Sequence, residues 1–239
     1  MIIKQDIIEN YIKNYLIANN NYNRLKYLKQ QQAKEDFEPK FYISNISRCP
    51  REVVYDMLQY PRSSKDPKFF LIGENGNYMH RRYQKWLANS GILLFSEYPL
   101  KVPKYRISAK VDAIISLCGL VPEMDDELAV VELKSSNNKK FSKMTEKNQP
   151  LIEYIEQIML YLHFLEIPYG IIYIENKDNQ DILEFWIEYD NKLAQELVQR
   201  IEMINDYVDK KELPPRPYSS PKCSTCLWCD FKDICWGSN

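Results

Sequence analysis

The stretch Val130-Val131-Glu132-Leu133-Lys134 reads as a buried β-strand ending in a carboxylate and an ammonium two residues apart. Side chains alternate across a strand, so Glu132 and Lys134 project from one face and Val131 and Leu133 from the other. A carboxylate placed there can hold a hard divalent cation. The neighbouring ammonium can orient or help deprotonate an attacking water and offset phosphate charge. Glu-x-Lys alone is common at exposed strand ends and carries little weight. Its meaning comes from the preceding apolar run, Lys110-Val111-Asp112-Ala113-Ile114-Ile115, where an unpaired buried carboxylate would be expensive. Asp112 therefore needs a cation or a hydrogen-bonding partner. Two antiparallel neighbours can bring Asp112 and Glu132 onto one metal, an arrangement suited to phosphodiester hydrolysis. The competing reading is a turn-side Asp112 that caps backbone amides.

Outward from these residues, LLFSEYPLKV (93–102), YRISAKVDAIISL (105–117) and ELAVVELKSS (127–136) alternate or run apolar in short β-favouring stretches, which predicts three consecutive strands. Residues 151–165 return to helical spacing through Ile155, Ile158, Met159 and Leu162. Two further strands are expected in GIIYIENK (170–177) and DILEFWIEY (181–189), joined by a turn at Asp178-Asn179-Gln180. A final amphipathic helix is expected over 189–210, ended by Pro214, Pro215 and Pro217. Upstream, a helix is expected from Glu74 to Ala88, and a short one after Ser47, where Ser-Arg-Cys-Pro supplies a capping residue and a proline near a helix start. Apolar residues at helical spacing within 3–35, interrupted by Asn19-Asn20-Asn21, suggest two more helices.

The 239 residues, 45% hydrophobic, suffice for one well-buried core. No stretch approaches the roughly 18 uninterrupted apolar residues of a membrane span, and the N-terminus mixes charges into its apolar positions, so a cytoplasmic protein with no membrane association is expected. Net charge is -1, from 32 basic and 33 acidic side chains, so any nucleic-acid contact must come from local patches. Candidates are Arg48 and Arg51, then Arg81, Arg82 and Lys85, then Lys139, Lys140, Lys143 and Lys147, each of which reads equally well as a solvated face. Six cysteines, four of them crowded together as Cys223, Cys226, Cys229 and Cys235, point to metal ligation in preference to disulfides. Cys118, within an apolar run, is expected in the core.

Of the two histidines, His163 reads as structural. His80 lies on the helix ahead of the strands, where its imidazole can complete a metal shell with Asp112 and Glu132. A lone helical histidine is more often packed or solvated, so its selection rests on the carboxylates. Gln157 and Tyr161, four residues apart, share a helical face and can donate to a phosphate or to the attacking water. The plain alternative is the polar edge of an amphipathic helix.

Taken in chain order, Gly76-x-x-x-His80, Glu97, Asp112, Glu132-x-Lys134 and Gln157-x-x-x-Tyr161 resemble the RecB-type branch of the PD-(D/E)XK nucleases. The resemblance implies an α/β, restriction-endonuclease-like core: a mixed central β-sheet flanked by helices. It implies that His80, Asp112 and Glu132 are metal ligands for Mg2+ or Mn2+, with Asp112, Glu132 and Lys134 catalytic. Gln157 and Tyr161 would face the substrate, and Glu97 would be an additional site carboxylate whose role varies within the superfamily. Cys49 with Cys226-x2-Cys229-x5-Cys235 is similar to the cysteine arrangement of the CRISPR-associated Cas-four exonucleases and the AddB nuclease domain, which implies a structural 4Fe-4S cluster. The extra Cys223 leaves two alternatives open, a local set that omits Cys49 and a zinc site.

The expected organisation is an N-terminal helical extension over 1–40 and a nuclease domain over 41–239, with the cysteine-rich segment 213–239 packed against Cys49. The implied function is a metal-dependent deoxyribonuclease, an exonuclease on single-stranded or free DNA ends. It would serve recombination or repair, CRISPR adaptation or viral DNA processing, with protein partners and self-association open. The rival is a non-catalytic DNA-binding or assembly subunit built on a relic nuclease fold. Against it, every catalytic position holds a competent residue.

Overall fold

A computed structural model of the chain describes residues 22–27, 29–30, 37–63, 68–121, 124 and 127–237, with only the backbone described at 68–70. A short helix α1 (Pro50–Met57) precedes the long α2 (Lys68–Asn89) and three strands, β1 (Leu93–Val102), β2 (Ile107–Ser116) and β3 (Leu128–Ser136). Helices α3 (Asn138–Lys147) and α4 (Ile152–Leu165) then lead to β4 (Tyr169–Asn176), β5 (Ile182–Glu188) and α5 (Asn191–Lys210). Two short helices, α6 (Ser224–Leu227) and α7 (Lys232–Trp236), follow. The strands form one mixed sheet in the order β1-β2-β3-β4-β5. The β3–β4 pair is parallel and the others are antiparallel.

The sheet is covered on both faces, so β3 is buried at seven of its nine positions, Glu132 and Ser136 included. On one face, Met79 and Tyr83 of α2 pack on Ala113, Ile115, Val131 and Leu133. On the other, α4 and α5 enclose Ile114, Val130 and Ile172 with Ile158, Leu162, Leu197 and Ile201. Leu25, in the helical stretch 22–27, is fully buried in that second core. Tyr22 stacks on Phe95 and the Tyr98 hydroxyl donates to the Leu25 carbonyl. The other helical positions expected in 1–21 and 31–35 lie outside the described residues. Among the described residues no helix is long and apolar enough to cross a membrane.

Through α5 the element order matches the sequence expectation apart from α3, with further local differences, and the short helices α6 and α7 of the cysteine segment were not expected. Helix α3 was not expected: only Phe141 and Met144 are buried, so its apolar stripe is too narrow to register as a period. It is set by Asn137, whose side chain accepts the Lys140 amide. Ser47 does not cap α1. Cys49 is the N-cap residue with Pro50 following, and the Ser47 hydroxyl instead donates to Glu156 of α4. Helix α2 begins six residues earlier than the sequence suggested. Cys118 is exposed, because β2 ends at Ser116, whose hydroxyl accepts the Cys118 amide and turns the chain away.

Helix α4 sits close to the sheet because Gly170 of β4 presents no side chain. A Cβ there would lie 2.6 Å from Ile158 Cδ1 and 2.9 Å from Ile158 Cγ1, and Ile158 is fully buried. Gly170→Val is expected to destabilise the fold by about 1–3 kcal/mol through overpacking. The check is a lowered urea midpoint with an unchanged denaturant slope.

Candidate active site

The β2–β3 ladder runs from Ser116–Leu128 to Ala113–Val131 and stops. The next positions in register are Asp112 and Glu132. With the ladder interrupted, the Leu133 amide loses its cross-strand acceptor, and Asp112 Oδ2 takes that hydrogen bond at 2.9 Å. The interior carboxylate thus satisfies one oxygen with backbone and leaves Oδ1 turned towards His80, 3.3 Å from its Nδ1. Asp112 therefore caps a backbone amide, as the competing sequence reading proposed, and also joins the acidic site.

Glu97 arrives from the other side of β2. The pairs Ser96–Ala113 and Tyr98–Val111 bracket it opposite Asp112. Its φ is +48°, a left-handed conformation that is uncommon for a residue with a side chain and costs about 1–3 kcal/mol. The effect is visible in the strand: Phe95 and Tyr98 are buried while Ser96 and Glu97 are both exposed, so the two-residue alternation breaks there. Ligand atoms of His80, Glu97 and Asp112 all lie within 4.8 Å of one another. Gln84, one helical turn beyond His80, donates to Glu97 Oε1 at 3.0 Å and to the Asp112 carbonyl at 2.8 Å. Lys110 meets Glu97 Oε2 at 2.6 Å.

Glu132 is 2% exposed and stands beside this trio without belonging to it. Its Oε1 accepts from Lys134 Nζ at 2.7 Å and from Gln157 Nε2 at 2.8 Å. Gln157 closes the set by accepting from Lys134 Nζ through Oε1 at 3.0 Å, and its Nε2 also lies 3.1 Å from the Tyr161 hydroxyl. That hydroxyl in turn donates to the Lys110 carbonyl. The second oxygen of Glu132, Oε2, is buried with no hydrogen-bond partner, a situation native interiors rarely leave unresolved. A cation beside Asp112 would satisfy it, so the donor set fits a hard divalent ion.

The electrostatics agree with an acidic hole held open by a few cations. Burial, reinforced by the Asp112 charge, raises the Glu132 carboxyl to about 7 against the opposing pull of Lys134 and His80. Burial works against the Lys134 ammonium, but Glu132 and Asp112 outweigh it and hold Lys134 above its ordinary range. His80 is likewise penalised by burial and raised on balance by its bond to Asp112. Glu97 is lowered, because Lys110 and Gln84 outweigh its own burial. The ring of Tyr154 lies 5.3 Å from Lys134 Nζ, a cation–π contact that limits where the ammonium can go.

The geometry places every residue of the sequence-derived set in one neighbourhood, arranged as two joined groups: His80, Glu97 and Asp112, then Glu132, Lys134, Gln157 and Tyr161. Sequence reasoning missed Gln84, Lys110 and Tyr154. Gln84 was findable, four residues after His80 on the same helical face. Tyr154 precedes Gln157 by three and was equally accessible. Away from this site, Cys49, Cys226, Cys229 and Cys235 line one small cavity. The Cys223 sulfur instead accepts the Cys226 amide at 3.3 Å and lies outside that lining. Burial pushes the Cys229 thiol up to about 11.

The mixed sheet thus carries an acidic cleft where the β2–β3 ladder is interrupted. The family model of the PD-(D/E)XK nuclease superfamily matches residues 20–236, and the chain belongs to that superfamily. Among solved structures, the chain resembles SSO0001 (22% identity, TM-score 0.52, covering 88% of this chain and 93% of that one). It resembles the alkaline exonuclease LHK-Exo from Laribacter hongkongensis, which was solved with dAMP (13%, TM-score 0.54, 72% and 89%). It also resembles a phage-related exonuclease from Haemophilus somnus 129PT (13%, TM-score 0.50, 73% and 96%). At these identities the likeness is one of fold. No curated protein matches the sequence.

Burial raises the Glu132 carboxyl to about 7 and the bond to Asp112 raises His80, so cation binding at pH 6 must expel a proton from each, whereas well above pH 7 the Glu132 proton has already left. Titration calorimetry with Mn2+ in buffers of different ionisation enthalpy is expected to show more proton release at pH 6 than at pH 8.5, with the difference reduced in Glu132→Gln. Equal release at both values would remove Glu132 from the ligand shell.

Proposed function

We propose that this protein is a Mg2+- or Mn2+-dependent deoxyribonuclease that trims DNA from free, preferentially single-stranded ends. The observation that carries this reading is the buried Glu132 carboxylate, held on one oxygen by Lys134 and Gln157 and unpartnered on the other, beside Asp112, Glu97 and His80. A bound cation there would supply Lewis acidity to the scissile phosphate and lower the pKa of a water ligand. His80, Asp112 and Glu132 would hold it, with Glu97 completing the shell, and His80 would give up its proton to do so. Lys134, fixed by Glu132, Gln157 and the Tyr154 ring, is positioned to orient the attacking water and balance charge at phosphorus. Gln157 and Tyr161 keep that lysine and the carboxylate in register. Cleavage would leave a 3'-hydroxyl and a 5'-phosphate. The end-processing mode draws on the exonucleases among the structural relatives.

We further propose that Cys49, Cys226, Cys229 and Cys235, which line one small cavity, would hold a 4Fe-4S cluster with a structural role in joining α1 to the C-terminal helices. A mononuclear zinc site needs sulfurs about 2.3 Å from one ion, and therefore close to one another. Zinc on these thiols is the alternative reading, which metal analysis separates from the cluster.

Incubation of the protein with end-labelled DNA is expected to give cleavage with Mn2+ and none with EDTA, and Lys134→Ala should lower the rate about 10²- to 10⁴-fold. Retention of full metal-dependent cleavage by that variant would remove Lys134 from the chemistry. Anaerobic purification is expected to give a brown protein with about four irons. Cys49→Ala should lose the colour and Cys223→Ala should keep it. A colourless protein with one zinc would refute the cluster.

A further inference from the structure

Helix α3 carries charges that work against its own stability. Lys139 and Lys140 occupy its first turn, where no acidic residue stands, and a cation at the positive end of a helix dipole is unfavourable. Lys139, Lys143 and Lys147 follow at intervals of four, so like charges are neighbours along the helix and destabilise it further. All four lysines are exposed. Among the described residues the lysine salt bridges fall elsewhere, on Lys40, Lys110, Lys134 and Lys210. At about 100° per residue, the four lysines occupy an arc of about 100°, turned away from the buried Phe141 and Met144. Glu146 is the helix's single acidic residue, so a strong local excess of positive charge stands in a chain of net charge -1. Asp178 accepts the Asn138 amide at the helix start, and the adjacent Lys177, whose amide bonds the Ser136 carbonyl, offsets that charge.

This helix is tied to the acidic site at both ends. Upstream, three residues separate Lys134 from its start at Asn138. Downstream, four residues join it to α4, whose Tyr154 ring lies 5.3 Å from Lys134 Nζ. At no more than about 3.6 Å per residue, Lys139 lies within roughly 18 Å of Lys134, and Lys147 within roughly 25 Å of Tyr154. Phe141 and Met144 enter the same core as Val130 of β3 and Tyr161 of α4. Val130 shares its strand face with Glu132 and Lys134, so α3 lies on the face of the sheet that bears them. One DNA strand advances about 3.4 Å per nucleotide, which puts the lysines within several nucleotides of a phosphate held at Lys134. A polyanion there would relieve both the dipole mismatch and the lysine repulsion, and its released counterions would add affinity.

We infer that the α3 lysines grip the phosphodiester backbone of the DNA strand that enters the acidic site, a few nucleotides from the bond to be cut. The inference rests on the nuclease reading for its substrate. It adds a backbone contact made by residues that hold neither the cation nor the attacking water.

The test measures binding of fluorescent oligothymidylate by anisotropy in EDTA over a series of salt concentrations, with Mn2+-dependent cleavage by the wild type measured separately. Each phosphate neutralised on a single strand contributes about 0.7 to the slope of log affinity against log salt. The double variant Lys139→Ala, Lys143→Ala is therefore expected to flatten that slope by about 1.4 and to weaken binding about tenfold near 0.1 M salt. Lys139→Arg with Lys143→Arg keeps the charge and should keep the wild-type slope. Lys26→Ala with Lys192→Ala removes the same charge from exposed positions off α3 and should leave the slope unchanged. Thermal melts of each variant exclude loss of fold as the cause. An unchanged slope in the α3 alanine variant would overturn the inference while leaving the hydrolase reading intact. An equal loss in the Lys26 and Lys192 variant would also overturn it, as would failure of the wild type to bind. Binding that depends on Lys139 and Lys143 without any cleavage would uphold the contact and sink the hydrolase reading instead.

Discussion

The hydrogen bond from the Leu133 amide to Asp112 ends one kind of structure and begins another. Up to Ala113 and Val131, β2 and β3 are ordinary antiparallel neighbours. One residue later a carboxylate replaces the cross-strand carbonyl as acceptor, and the strands are free to separate. Everything acidic in the molecule's cleft is organised around that substitution. Glu132 takes the matching position on β3, Glu97 reaches in from β1, and His80 descends from α2 onto the oxygen that Asp112 has left over. The price of assembling like charges is met locally by Lys134 and Lys110, each bonded to one carboxylate.

The fold was legible in the sequence because its strands are short, buried and separated by clear turn residues, and because α4 and α5 carry wide apolar stripes. Helix α3 was illegible for the opposite reason: two buried side chains in ten residues leave almost no periodic signal. The site was legible where one charge interrupts an apolar strand, as at Asp112 and Glu132. The grouping of the ligands was not. Nothing in the residues around Glu97 announces a left-handed backbone inside a strand, since neither glycine nor asparagine occupies the position, and that conformation sends its side chain towards His80. Nor does Glu-x-Lys reveal that the two side chains pair directly and share a glutamine.

Ser47 teaches a similar lesson. Its position before Cys49-Pro50 made it a natural helix cap, yet its hydroxyl is drawn to Glu156, which Arg200 also engages. A buried carboxylate outcompetes an exposed helix end for a hydroxyl, because its unmet demand inside the protein is the larger one. Arg200 also donates to the Ile46 carbonyl, so the turn leading into α1 is anchored twice.

Glu156 and Gln157 are consecutive residues of α4, about 100° apart around its axis. One grips the turn that delivers Cys49 to the thiol cavity, and the other steadies Lys134. A single rigid rod therefore carries the mechanical settings of both centres, and neither can be re-tuned by moving the helix without disturbing its counterpart. Changes at the two positions should be inherited as a pair.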